Sequence, residues 1–229
     1  MGRNAPEQTI VYRILQEQAA VERTPFCVGF LDLGCFFMSI VRDVTWACEE
    51  RSGVDPRVTE VVQALHESAK GAYETEYGLT EQFPMRAGSG QGCVNGAVRS
   101  KLLLAVMQRA VSKVCEGRGC RTKGDRIERI PQLWFADDGA LMSESVHAMQ
   151  LGFDTCWLVC KINGLSPRIK GKKKTAYIAT HWENGKQIDM QGIDMWLGPD
   201  RNTPIPQITM DAIPKRTVKG GVSGGKGKR

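Results

Sequence analysis

With 229 residues, 41% of them hydrophobic, the chain can bury a substantial core as one domain. No apolar run is long enough to span a membrane and no secretory signal is evident in residues 1–4, which points to an intracellular protein, nuclear or cytoplasmic. The formal net charge of +6 resides in the tail, where Lys215, Arg216, Lys219, Lys226, Lys228 and Arg229 meet no acid after Asp211.

Residues 7–22 pattern as a helix that feeds an apolar strand, residues 25–32, ending at Asp32. A second helix is predicted over residues 36–50. Asp55 caps a third, with Pro56 at the first position, where a missing N–H costs nothing. Val58, Val61, Val62, Leu65 and Ala69 form the apolar stripe of that helix. Residues 72–77 and 81–86 read as a hairpin, and the helix over residues 95–115 carries Leu103, Met107, Ala110, Val111 and Val114 on one face. A strand over residues 130–135 then runs into an Asp137-Asp138 turn and a second strand, residues 139–142. Ser143 is the predicted cap of the next helix, whose stripe is Val146, Met149, Phe153, Cys156 and Cys160. Asn163-Gly164 ends it as a left-handed cap. Residues 176–182 and 186–190 form a hairpin about an Asn184-Gly185 turn, before a stretch with Pro199, Pro204 and Pro206 and the basic tail.

Two adjacent carboxylates beside a core strand are unfavourable unless cations compensate them. A solvated Asp-Asp turn is the plain reading of Asp137 and Asp138 alone. Asp32 changes the balance, because Val28, Phe30 and Asp32 share one face of their strand by the period of two. Strand-end acids of this kind suit one site assembled from two neighbouring strands. Mg²⁺, a hard cation held by one or two carboxylates plus substrate phosphates, is the expected ion.

Residues 30–40 (FLDLGCFFMSI), 88–97 (GSGQGCVNGA), 135–138 (FADD) and 164–175 (GLSPRIKGKKKT) resemble, in order and spacing, the palm motifs A, B, C and D of reverse transcriptases. The similarity is to those of non-LTR retrotransposons and related retroelements, and it covers roughly residues 7–181, including the helix that approaches motif A. It implies an α+β fold, a polymerase palm with an antiparallel sheet backed by helices, with partial fingers and no evident thumb. It also implies an RNA-directed DNA polymerase, with RNA template, DNA primer and dNTPs as partners and no membrane. Two Mg²⁺ ions, with Mn²⁺ as a substitute, would serve in-line nucleotidyl transfer.

Residue by residue, the resemblance makes Asp32 and Asp137 direct metal ligands and Asp138 the second acid of motif C. Phe37, five residues after Asp32, falls where the family keeps an aromatic gate under the incoming sugar; a core aromatic at a helix start is the competing reading. Gln91 and Gly92 match the Gln-Gly that lies against template and nascent base pair, within a Gly-rich stretch that permits close backbone approach. Lys174 matches the motif D lysine that meets pyrophosphate, although Lys172 and Lys173 precede it directly.

Departures accompany the matches. Phe36-Phe37-Met38 stands where the family reads Ala-Phe-Asp, Gly90 and Val94 replace an Arg and a Pro of motif B, and motif D is lengthened. No fingers hairpin, primer-grip motif or helical thumb is identifiable, so the expected organisation is a leading helix (1–24), palm (25–181), hairpin extension (182–210) and disordered basic tail (211–229). A fragment of this kind is expected to have little activity alone; an inert retroelement remnant that binds nucleic acid nonspecifically is the alternative. The basic stretch of residues 161–174, with Lys161, Arg168, Lys170, Lys172, Lys173 and Lys174, could attract phosphates or lie solvated on a loop. Cys115, Cys120, Cys156 and Cys160 are the sole cysteine grouping to weigh as zinc ligands, against free thiols in a reducing compartment.

Overall fold

The computed structural model describes residues 5–89, 94–123, 128–169 and 174–209. The chain is α+β, with six helices among the described residues and one five-stranded antiparallel sheet. Helix α1 (Ala5–Glu22) leads into strand β1 (Phe26–Leu31), followed by α2 (Phe36–Ser39), α3 (Arg42–Arg51) and α4 (Pro56–Glu67). Helix α5 (Val94–Val114) precedes the hairpin of β2 (Gln132–Phe135) and β3 (Asp138–Ser143), then come α6 (Val146–Ile162), β4 (Ala176–Glu183) and β5 (Lys186–Asp189). The strand order is β5-β4-β1-β3-β2, which puts β1 at the centre.

Alternation along β1 divides the core in two. Cys27 and Leu31 join Leu141, Tyr177 and Ala179 against Leu103, Met107 and Val111 of α5 and Met149, Phe153 and Cys156 of α6. Phe26 and Val28, with Met142, pack against Leu15 and Ala19 of α1. Each fully buried side chain of the size of Phe153 or Met107 contributes about 1.5–3 kcal/mol by leaving water. Gly29 is required by this packing, since a Cβ there would overlap the Phe153 ring.

The predicted single helix over residues 36–50 is two helices. Ile40 and Val41 are extended, and the carbonyls of Phe37 and Ile40 accept from the N–H groups of Ser89 and Gly88 at 2.9 Å each. A long-range loop has taken the acceptors that helix continuation would use. Ser143 is the last residue of β3 and not the helix cap; Ser145 holds that position, and the Ser143 hydroxyl accepts from its N–H at 3.2 Å. The expected hairpin is tighter than predicted, turning at Glu76-Tyr77 between Glu74–Thr75 and Gly78–Leu79.

Other local signals behave as their chemistry requires. Asp55 accepts from the Arg57 N–H at 2.9 Å, capping α4 behind Pro56. Gly164 has φ 68, and the Leu165 N–H donates to the Cys160 carbonyl at 2.9 Å, closing α6. Asn184 and Gly185 both have positive φ, as a two-residue turn between β4 and β5 demands. The stripe of α4 differs: Val58, Val61 and Leu65 face solvent, and no residue of that helix is buried.

Helices α3 and α5 are joined by a buried, bidentate ion pair. Arg99 Nε lies 2.6 Å from Glu49 Oε1 and Nη2 lies 3.2 Å from Oε2, with the side chains only 4% and 8% exposed. Removing one partner strands a buried charge, so Glu49→Ala or Arg99→Ala is expected to cost about 3–5 kcal/mol. The paired apolar replacement Glu49→Leu, Arg99→Met should recover most of that loss. Urea unfolding of the three variants measures both effects; additive losses in the pair would contradict them.

Candidate active site

Asp32 is positioned by β1 and by three contacts from outside it. It stands one residue past Leu31, whose partner across β1 and β3 is Gly139. Continuing that register by one residue sets Asp32 alongside Asp138, the first residue of β3, on the face shared by Phe30 and Ala140. The Asp32 N–H donates to Thr175 Oγ1 at 3.2 Å, and its carbonyl accepts from the Arg168 N–H at 2.8 Å. Its carboxylate accepts from Lys174, with Nζ 3.1 Å from Oδ2. Thr175 is fully buried and its own N–H donates to the Arg168 carbonyl, so backbone and side chain hold this acid from two sides.

Asp137 and Asp138 depend on the hairpin turn. Phe135 pairs with Asp138, leaving Ala136 and Asp137 as a two-residue loop. Ala136 has φ 51, a left-handed conformation that costs a non-glycine residue roughly 1–2 kcal/mol. Strain of this kind persists where the surrounding structure fixes it, and functional sites are its usual home. The tight turn keeps Asp137 and Asp138 at the sheet end. Partial burial, then the charges of Asp137 and Asp32, push the Asp138 carboxyl above its ordinary range, and Lys174 acts in the opposite direction.

Asp32, Asp137, Asp138 and Lys174 thus form one electrostatic group. Among the described residues no three His, Cys, Asp or Glu side chains enclose a metal ion by themselves. A Mg²⁺ site does not need such a cage, because one or two carboxylates and substrate phosphates suffice. Asp32 with Asp138 or Asp137 is the donor set that could hold one, and all its donors are hard oxygens. The zinc grouping does not assemble: Cys120 lies in the cluster on the α1 side, whereas Cys115, Cys156 and Cys160 lie in the other.

Phe37 is half-buried against the helix-side core, its ring 5.5 Å from that of Phe36. Gln91 and Gly92 lie outside the described residues, but the chain leading to them is anchored to α2 and α3. Arg42 donates to the carbonyls of Gly88 at 3.0 Å, His66 at 2.9 Å and Ala87 at 3.3 Å. Gly88 has φ 85 and approaches the Phe37 carbonyl so closely that a Cβ would sit 3.0 Å from it, so glycine is needed there. Sequence reasoning missed Arg42 and Thr175: neither lies in a pattern that announces long-range backbone contacts. Of the basic stretch, Lys161 lies over the Trp157 ring at 5.3 Å, and Lys170, Lys172 and Lys173 fall outside the described residues.

A cavity of about 240 Å³ beside Asp138 lies between α1 and the β2–β3 hairpin, with Tyr12, Phe30 and Phe135 in its walls. A larger one, about 630 Å³, lies among α3, α5 and α6 and contains none of the three acids. No protein-family model matches the chain, and no curated protein matches it.

The raised Asp138 carboxyl gives a pH dependence of defined sign. The folded chain holds this proton more tightly than the unfolded one, so ionisation of Asp138 costs stability as pH rises from the ordinary aspartate range through the raised value. Asp138→Asn removes that cost and is expected to unfold at higher urea than wild type at pH 7. The gap should narrow as pH falls through and below the ordinary aspartate range, where the carboxyl is protonated in the folded and the unfolded chain alike. A less stable variant at pH 7, or a gap that ignores pH, would refute the electrostatic account.

Proposed function

We propose that the chain is a reverse-transcriptase-like palm of a retroelement, whose chemistry is template-directed DNA synthesis from dNTPs on an RNA template and DNA primer. The observation that carries this reading is the meeting of Asp32, Asp138 and Lys174 at one end of the sheet, from three separate motifs of the resemblance. Four motifs in family order supply the rest.

In this reading Asp32 and Asp137 hold the cations and Asp138 adds negative potential beside them. The bound Mg²⁺ ions, or Mn²⁺ in their place, supply Lewis-acid stabilisation of the attacking and leaving oxygens. The hydrogen bonds that Asp32 donates to Thr175 Oγ1 and accepts from the Arg168 N–H keep it in a fixed pose, which matters because small misplacements at a reacting centre are costly. Phe37 limits the space under the incoming sugar, and Lys174 offers a positive charge to the leaving pyrophosphate. Gln91 and Gly92 carry the template contact. An inert remnant is the second reading, favoured by one observation: Lys174 already neutralises Asp32.

Primer extension with Mg²⁺ or Mn²⁺ separates the two. Weak but measurable extension is expected, falling on the order of a thousandfold in Asp32→Asn or Asp137→Asn. Extension that survives both substitutions, or none under any condition, would remove the polymerase reading.

Phe37→Val is expected to reduce discrimination between dNTPs and rNTPs by at least about tenfold. Steady-state incorporation of each measures this. Unchanged selectivity in a folded, active variant would assign Phe37 to core packing alone.

A further inference from the structure

The Lys174–Asp32 contact has a feature that pyrophosphate contact alone does not require. The ammonium and carboxylate are 3.1 Å apart and each side chain is 22% exposed, so the pair is neither freely solvated nor locked away. A divalent cation held by both oxygens of Asp32 would need the one that Lys174 now holds, and one on Oδ1 alone would still bring a second positive charge close to the ammonium. An ammonium donates three hydrogen bonds and has no lone pair to offer a metal, and two cations cannot share that volume without repulsion. One of the partners has to yield.

The geometry decides which. Asp32 is held through its N–H by Thr175 and through its carbonyl by Arg168, and Thr175 is itself fixed by its bond to the Arg168 carbonyl. Lys174 hangs on a flexible four-carbon stem beside that fixed residue, so its side chain can swing away without disturbing the backbone. Without a cation, Asp32, Asp137 and Asp138 would stand uncompensated at the sheet end.

We propose that Lys174 is a resident counter-ion for Asp32, which keeps the acids compensated in the free chain and must leave before a divalent cation binds. Divalent affinity is then set by a competition built into the chain. The departing ammonium is freed when a cation-bound phosphate substrate would arrive, which couples loading of the acids to the lysine's availability for that phosphate. This rests on the metal-site reading of Asp32 proposed above.

The test is calorimetric titration of the full chain with Mn²⁺ alone, and it needs no activity. Lys174→Met, with Lys174→Gln as a second neutral variant, is expected to bind Mn²⁺ about five- to tenfold more tightly than wild type. Lys174→Arg should stay near wild type, and Asp32→Asn should lose the binding. In EDTA the neutral variants should melt below wild type and recover when Mn²⁺ is added. Equal affinity in wild type and both neutral variants, with binding still lost in Asp32→Asn, would overturn the counter-ion role and leave the metal site standing. No Mn²⁺ binding by wild type or the neutral variants would overturn both.

Discussion

The register between β1 and β3 is the constraint on which the rest depends. Leu31 opposite Gly139 sets Asp32 beside Asp138 one step later. A slip of one residue would send Asp32 to the helix-covered face and Phe26 and Val28 away from α1. Both faces of β1 are buried, so every alternative register carries the loss of apolar packing on two sides. Glycines enforce the choice: Gly29 lies under the Phe153 ring and Gly139 under that of Trp134, where a Cβ would come within 2.7 Å. The acids inherit their proximity from hydrophobic packing that has no chemistry of its own.

That inheritance has an electrostatic cost, and the chain offsets it locally. Partial burial, then the charges of Asp137 and Asp32, push the Asp138 carboxyl upward, and Lys174 opposes the shift. The other buried charges of the fold are handled differently. Glu49 and Arg99 close on each other in a bidentate pair that is nearly sealed from water, an arrangement suited to fixing α3 against α5. The Lys174–Asp32 pair is single, more exposed and ends in a flexible stem, an arrangement suited to opening. One ion pair is sealed from water, and the other is the one proposed to exchange.

Much of the fold was legible in the sequence wherever the signal was local. The Asn184-Gly185 turn, the Asn163-Gly164 helix end and the Asp55-Pro56 helix start depend on the φ preferences and side-chain reach of two or three residues. The errors occurred where distant partners decide. Residues 36–50 have no internal helix breaker, and the helix splits because Gly88 and Ser89 take carbonyls from it across the fold. The α4 stripe has helical spacing, but Val58, Val61 and Leu65 meet no covering surface among the described residues, a matter that periodicity cannot report. In the site, the acids were legible as strand ends and Lys174 through the resemblance. The Thr175 and Arg42 contacts are made by single side chains to remote backbone, for which a lone sequence holds no signal.

Access to the acids follows from the two layers. Helices α5 and α6 cover one face of the sheet, and α1 packs on the face that Asp32 and Asp138 share. The remaining approach is over the strand ends, where the Ala136-Asp137 turn, Lys174 and the Asp32 side chain meet. The segment bearing Gly88 and Ser89 is tied to Phe37 and Arg42, so the chain entering residues 90–93 is fixed to the stretch that follows Asp32. A strained turn and a partly exposed ion pair concentrate at that end, whereas the rest of β1 is sealed by packing. Rigidity in the sheet and adjustability at its tip are what the cation site proposed for these acids would need, since its ligands would have to be fixed while the proposed resident charge gives way.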